Sequence, residues 1–171
     1  KKSNPDLYVK ELGSGRTRVV SNKRGINTSP AFDPSGKKIA LTRSDDGDSD
    51  LFVVDAITGE QLQQITKGGG IDVSPNYSAN GGKIAFASER SGGSQIYLQD
   101  LASGDAKRVT FVGDFNTDPV ISPDGTKLAF VARSRGGFDI LVCDIDGRNP
   151  YRITQDMGDN EDPSWSPDGA Y

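Results

Sequence analysis

The sequence predicts an all-β chain, a β-propeller of four-stranded antiparallel blades present here as a partial arc of about four blades. Three observations predict it. A unit of 44 or 45 residues recurs along the chain, with Pro30, Pro75, Pro119 and Pro163 opening successive copies and Thr66, Thr110 and Thr154 closing three of them in one register. A fixed period of this length marks stacked supersecondary units. Only 33% of the 171 residues are apolar, while 21 are Gly and 9 are Pro, a balance that suits many short strands joined by tight turns. Within each copy the second and third segments are apolar at consecutive positions rather than in alternation, which is expected of strands covered on both faces. In a radial array every sheet lies between two others, and that supplies the cover. Helical repeat arrays fail because no segment sustains a 3.6-residue period.

Taken in order, the elements begin partway through a unit. Leu7-Tyr8-Val9 reads as a third strand and Arg18-Val19-Val20 as a fourth, so residues 1–21 are the end of one blade. Residues 22–66 form the first complete repeat. It has a first strand through Phe32, a turn at Asp33-Pro34-Ser35-Gly36, a second strand Lys38-Ile39-Ala40-Leu41, a third strand Leu51-Phe52-Val53-Val54-Asp55, and a reversal at Thr58-Gly59. Residues 67–110 repeat the plan with Tyr77, Lys83-Ile84-Ala85-Phe86, Ile96-Tyr97-Leu98-Gln99-Asp100 and Ser103-Gly104. In residues 111–154 the plan is clearest: Val120-Ile121-Ser122 runs into Pro123-Asp124-Gly125, where Pro presets one turn dihedral and Gly supplies a positive φ. Lys127-Leu128-Ala129-Phe130-Val131, a Gly136-Gly137 loop, Asp139-Ile140-Leu141-Val142-Cys143, an Asp146-Gly147 turn and Tyr151-Arg152-Ile153-Thr154 complete that meander. Residues 155–171 start another unit with Trp165 at the place of Phe32, Tyr77 and Ile121. The permuted, incomplete register is expected of an open arc from a larger ring.

Charge narrows the function. A net charge of −4 and a pI near 4.8 repel a phosphate backbone, and no Lys/Arg block offsets this locally, so nucleic acid is not an expected partner. No apolar run approaches the roughly 20 residues of a membrane-spanning helix; the chain reads as soluble, with any targeting segment outside it. The single Cys143 leaves redox compartment undecided and reads as a small buried side chain. There is no histidine, which excludes a complete Ser/His/Asp or Cys/His constellation within this chain and removes the commonest transition-metal ligand.

Candidate site residues come from the connections between the fourth strand of one blade and the first strand of the next, which cross one face of a propeller near its axis. Three residues before each Pro stand Asn27, Asp72, Asn116 and Asn160; immediately before Pro stand Ser29, Ser74, Asp118 and Asp162. Read functionally, these are a ring of amides, hydroxyls and carboxylates around the channel mouth, suited to backbone amides, a basic segment or a divalent ion. Read structurally, such short polar side chains cap turns. Asp156, Asp159 and Glu161 add acidity to the last connection, while Phe111 and Phe115 are candidate aromatic anchors in the third. The run Asp45-Asp46-Gly47-Asp48-Ser49-Asp50 invites a calcium reading, but Leu51 and Ile57 stand where an EF-hand loop needs Gly and Glu. A solvated hairpin loop is the expectation, with no metal and no cofactor. Asp55, Asp100 and Asp144 recur after third strands as acceptors for turn amides. The hydroxyls of Thr66, Thr110 and Thr154 are placed to satisfy backbone groups, and Trp165 reads as packing.

The segments SPDGTKLAF at 122–130, DPSWSPDG at 162–169, IYLQDLASG at 96–104 and RVTFVGDFNTDP at 108–119 resemble the propeller repeats of the TolB family, over essentially the whole chain. Asn76 to Gly82 lacks the Ser-Pro-Asp-Gly turn, and Asp33-Pro34-Ser35-Gly36 varies it. The resemblance implies a six-bladed ring in a periplasmic protein of the Tol-Pal cell-envelope system. It also implies a noncatalytic role in which the propeller mouth binds the lipoprotein Pal, and bacteriocins exploit the same mouth. The partner TolA is engaged by an α/β domain absent from this chain, and the protein is peripheral to the outer membrane through its partners. Related repeats also occur in the propellers of prolyl oligopeptidase-like and tricorn-like serine peptidases. A gating propeller whose catalytic domain lies elsewhere is therefore the alternative, and a sugar-processing propeller is a third, made weaker by the absent histidines.

Overall fold

The computed structural model describes residues 4–45, 47–155 and 158–171, and those residues contain fourteen strands and no helix. β1 (Leu7–Lys10) and β2 (Thr17–Ser21) form a two-stranded sheet. Three four-stranded antiparallel meanders follow. The first comprises β3 (Ile26–Phe32), β4 (Lys38–Asp45), β5 (Asp48–Asp55) and β6 (Gln61–Gln64). The second comprises β7 (Asp72–Tyr77), β8 (Lys83–Ser88), β9 (Gln95–Asp100) and β10 (Ala106–Arg108), and the third β11 (Asn116–Ile121), β12 (Lys127–Ser134), β13 (Gly137–Asp144) and β14 (Tyr151–Arg152). The order within each sheet is sequential, as short hairpin connections dictate.

Each repeat places large and small side chains on opposite faces of its second strand. Ile39 and Leu41 pack with Leu7, Val20, Val54 and Ala56 toward the preceding sheet, whereas Ala40 packs with Ile84, Phe86 and Tyr97 of the following one. The pattern advances by one blade, with Ala85 and Ala87 meeting Leu128 and Phe130. A large row against an alanine row lets neighbouring sheets close without voids, and so explains the uninterrupted apolar runs. Phe86 and Phe130 are at most 2% exposed, so truncating either to Ala costs about 3 kcal/mol or more. Cys143 joins the last of these cores, and burial pushes its thiol up to about 11. The interior is close-packed enough that a Cβ on Gly147, at φ +87°, would lie 2.1 Å from the Val109 carbonyl oxygen of the preceding blade.

The Thr residues that close each repeat act as clasps. Backbone N–H groups of Leu51, Ile96 and Ile140 donate to the hydroxyls of Thr66, Thr110 and Thr154 at 2.8–3.0 Å, and those hydroxyls donate to Asp50, Gln95 and Asp139. The first-to-second-strand turns are also alike. Ser122 and Ser166 donate to Asp124 and Asp168, and Ser78 donates to Asn80, the amide carbonyl replacing a carboxylate. At Asp33-Pro34-Ser35-Gly36 the pair is exchanged, with Ser35 donating to Asp33 at 2.6 Å. Gly36, Gly81, Gly125 and Gly169 all have φ near +70°, so the variant sequences keep one turn geometry. After the third strands, Asp55 and Asp100 accept turn amides, but Asp144 is held instead by Lys127 at 2.5 Å and Asn149 at 2.7 Å.

Candidate functional site

The first strand of every complete meander is broken by a β-bulge. Pairing of β3 with β4 jumps from Thr28 to Ala31, β7 with β8 from Val73 to Asn76, and β11 with β12 from Thr117 to Val120. The residues skipped are Ser29-Pro30, Ser74-Pro75 and Asp118-Pro119. Proline has no N–H for the ladder, so a bulge is where a strand tolerates it. Ser29, Ser74 and Asp118 adopt φ of +50°, +55° and +47°, and Asp162 before Pro163 adopts +54°. This left-handed geometry is unfavourable for a non-glycine residue and doubly so before proline. Strain of this kind costs about 1–3 kcal/mol per residue and persists only where packing imposes it.

These four Xaa-Pro pairs converge. With Ala31, Asn76 and Val120 they line one cavity of about 300 Å³ where the innermost strands meet. The Ser74 hydroxyl donates to the Asp118 carboxylate of the next blade at 2.6 Å. Asn76 accepts the Ile121 N–H at 3.0 Å, and the Trp165 indole N–H donates to the Val120 carbonyl at 3.0 Å, so adjacent inner strands are tied across the blade boundary. The lining offers hydroxyl and carboxylate acceptors between rigid pyrrolidine rings and contains no basic side chain among the described residues. It is built to receive donors: backbone N–H groups, hydroxyls or an ammonium.

The residues two positions earlier do not join that cavity. Asn27 is buried, donating to the carbonyls of Pro5 and Lys23 and accepting the Ser21 hydroxyl. Asp72 is fully buried and takes both of its bonds, 3.1 and 3.0 Å, from the Arg90 guanidinium, which lies over Phe86 and Tyr97. Asn116 is fully buried and donates to Gln95 and Val112. Asn160 is half-buried and donates to the Phe138 carbonyl. Asn27 and Asn116 brace the connection that precedes their inner strand, through Lys23 and Val112, whereas Asp72 is tied to Arg90 between β8 and β9 and Asn160 to Phe138 of β13. Of the acidic residues in the last connection, Glu161 and Asp162 are exposed, the exposed Asp159 accepts the Phe138 N–H, and Asp156 lies outside the described residues.

The aromatic candidates separate as well. Phe111 is 69% exposed beneath the Arg108 guanidinium, next to the half-exposed Val112. Phe115 is half-buried, with its ring centroid 5.9 Å from that of Phe138 and the Arg133 guanidinium 4.6 Å away. Residue-type reasoning missed the arginines Arg43, Arg90 and Arg133, each stacked on an aromatic ring at the loop end of a second strand or just beyond it. An Arg recurring at that end of each repeat was the available signal. Of the acidic run read as a solvated loop, Asp46 and the side chain of Asp45 lie outside the described residues; Asp50 accepts from Thr66, Gln64 and the Gly68 N–H. No group of three or more potential metal ligands occurs among the described residues. No helix of the structure is long and apolar enough to cross a membrane.

Comparison with known proteins gives a consistent pattern. The family model described as the TolB beta propeller domain matches residues 1–171. A protein TolB homolog from Chlorobaculum tepidum is 42% identical over 65 residues, which is 38% of this chain and 14% of that protein. The crystal structure of TolB from Acinetobacter baumannii superposes with a TM-score of 0.85 at 34% identity, covering 96% of this chain and 41% of that one. The chain thus spans well under half of these relatives. A prolyl endopeptidase structure aligns with a TM-score of 0.66 at 19% identity over 94% of this chain and 28% of its own, a likeness of fold alone.

Proposed function

Because the chain belongs to the TolB β-propeller family, we propose that it is a noncatalytic protein-binding module of the Tol-Pal system, acting in the periplasm. It binds the lipoprotein Pal through the channel face and thereby supports outer-membrane integrity. The observation that carries the reading is the convergence of Ser29, Ser74, Asp118 and Asp162 on one polar cavity despite the backbone strain this imposes. Strained residues retained at one site and lined up by four copies of a repeat suit recognition better than packing. Rigid proline rings lower the ordering cost of the cavity wall on docking, and the acceptor groups choose a donor-rich segment over an acidic one.

The test is calorimetric titration of the protein with Pal, alongside Ala31→Trp. Ala31 lines the cavity, and an indole there fills much of the space a partner would use. Binding by the wild type and its loss in a folded Ala31→Trp protein is the expected result. Equal affinity in the two would remove the cavity from the interface.

A further inference from the structure

A second cleft, of about 730 Å³, lies on the loop side of the last complete meander, lined by Arg133, Arg135 and Arg152 together with Asp114 and Asp139. Asp139 is buried and already engaged, accepting the Thr154 hydroxyl at 3.0 Å and pairing with Arg152 at 3.3 Å. In a chain whose net charge is −4, three guanidinium groups facing one cleft are a concentrated exception.

The neighbouring blade shows what such a guanidinium binds. Arg90 is flanked by the rings of Phe86 and Tyr97, 5.2 and 4.9 Å away, and one of its terminal nitrogens is covered by both oxygens of Asp72. Arg133 is flanked in a similar way by Phe115 and Phe138, at 4.6 and 5.9 Å. At the place of Asp72 this blade has Asn116, whose amide is turned inward to Gln95 and Val112. Among the described residues the Arg133 side chain makes no hydrogen bond or ion pair, and Arg133 is exposed. A ring-flanked guanidinium thus recurs at the same end of the blade, one residue beyond the partner of Asn116 rather than two beyond the partner of Asp72 and on different rings, but here without an internal carboxylate.

We propose that this cleft is a docking site for an acidic peptide segment, whose Asp or Glu carboxylate takes the place at Arg133 that Asp72 occupies at Arg90, with Arg135 as the adjoining charge. Stacking on two aromatic rings fixes the guanidinium plane and limits the entropy lost when it forms paired bonds to a planar carboxylate. The site is separate from the axial cavity, whose acceptor groups favour donors, and it does not depend on the identification of Pal.

The experiment is fluorescence anisotropy of the full chain with a dye-labelled, end-blocked peptide Gly-Glu-Asp-Glu-Gly, against the matched peptide Gly-Gln-Asn-Gln-Gly. Saturable binding of the acidic peptide alone is expected. It should weaken by about tenfold or more in Arg133→Gln, as loss of a charge-assisted pair implies. Arg135→Gln, which disturbs no aromatic stack, should weaken it by a smaller factor, and Arg133→Lys should fall between Arg133→Gln and the wild type because it keeps charge without the planar fork. Arg16→Gln, the same charge change outside the cleft, should leave binding unaltered. Equal binding by wild type and both Gln variants, equal loss in Arg16→Gln, or no binding of the acidic peptide would each overturn the proposal. Displacement of the peptide by equimolar inorganic phosphate would overturn the peptide assignment in favour of a small-anion site.

Discussion

Residues two apart on the same inner strands meet opposite fates. Asn27, Asp72 and Asn116 are buried and bond inward, to the preceding connection or to the Arg90 guanidinium, while Ser29, Ser74 and Asp118 carry backbone strain and face a shared cavity. In a regular strand, positions i and i+2 point to the same side. The bulge at each Xaa-Pro pair breaks that rule and turns one polar row into two rows with different tasks. The difference teaches that in this repeat stability and recognition are divided by a backbone irregularity rather than by residue type.

The comparison is broken most readily at Asp72. Asp72→Ala leaves the Arg90 guanidinium without its counterion against buried aromatic rings, and chemical denaturation should show a loss of about 3 kcal/mol, the lower end for a broken buried pair because Arg90 remains partly exposed. Asp118→Ala, one blade on and two positions later, should cost about 1 kcal/mol or less, since it forfeits a single half-buried bond from Ser74. Equal costs at the two sites would erase the distinction.

A change of sign sharpens it further. Asn27→Gly removes a side chain with partners on three sides and should destabilise by about 2 kcal/mol. Ser29→Gly relieves a non-glycine residue at φ +50°. The gain is partly offset by the freer unfolded chain, so a net stabilisation of about 0.5 kcal/mol is expected. Denaturation midpoints measured side by side decide this; destabilisation by Ser29→Gly would mean that the left-handed conformation is not strained in this setting.

The smallest effect concerns pH. Bonds from the Ser122 hydroxyl, and from the N–H and hydroxyl of Thr126, hold the Asp124 carboxyl at about 2, below its ordinary 3.8. A carboxyl whose folded value is depressed contributes stability that is fully present above its unfolded value and is lost as pH falls through the folded one. Asp124→Asn should therefore change stability little at neutral pH and flatten the acid limb between 3.8 and about 2. Asn80 already fills that place in the preceding blade and makes the same bonds to Ser78 and Gly82. An unchanged acid limb would shift the sensitivity to other carboxyls lowered by turn bonds of the same kind, such as Asp33, Asp55, Asp100 and Asp168.

Much of this fold was legible in the residues because one plan is written several times. The Ser-Pro-Asp-Gly turn, the Lys-Ile-Ala-Leu second strand and the closing Thr each report a local geometry, and counting between copies averages away the ambiguity of any one. The exchanged pair Asp33 and Ser35 kept the turn because either residue can accept backbone N–H groups from position one or three. The site was only partly legible. Polar residues before each Pro stood out, but reading Asn27 and Ser29 as one ring assumed an unbroken pleat, and only backbone dihedrals reveal the bulge. The stacked arginines were only faintly legible: an Arg recurs near the loop end of the second strand at Arg43, Arg90 and Arg133, but the one or two rings against each come from differing positions, a tertiary arrangement that spacing along the chain does not encode.

The central claim is that the cavity-facing row, not the bracing row, recognises the partner. It is tested most directly by calorimetric titration of Pal into wild type, Asp118→Asn/Asp162→Asn and Asn160→Ala. Both carboxyl replacements are isosteric and lie at half-buried or exposed positions, so the fold is retained. The account predicts that the double variant loses about tenfold or more in affinity, while Asn160→Ala binds as the wild type does. Full affinity in the double variant, with loss in Asn160→Ala, would contradict it.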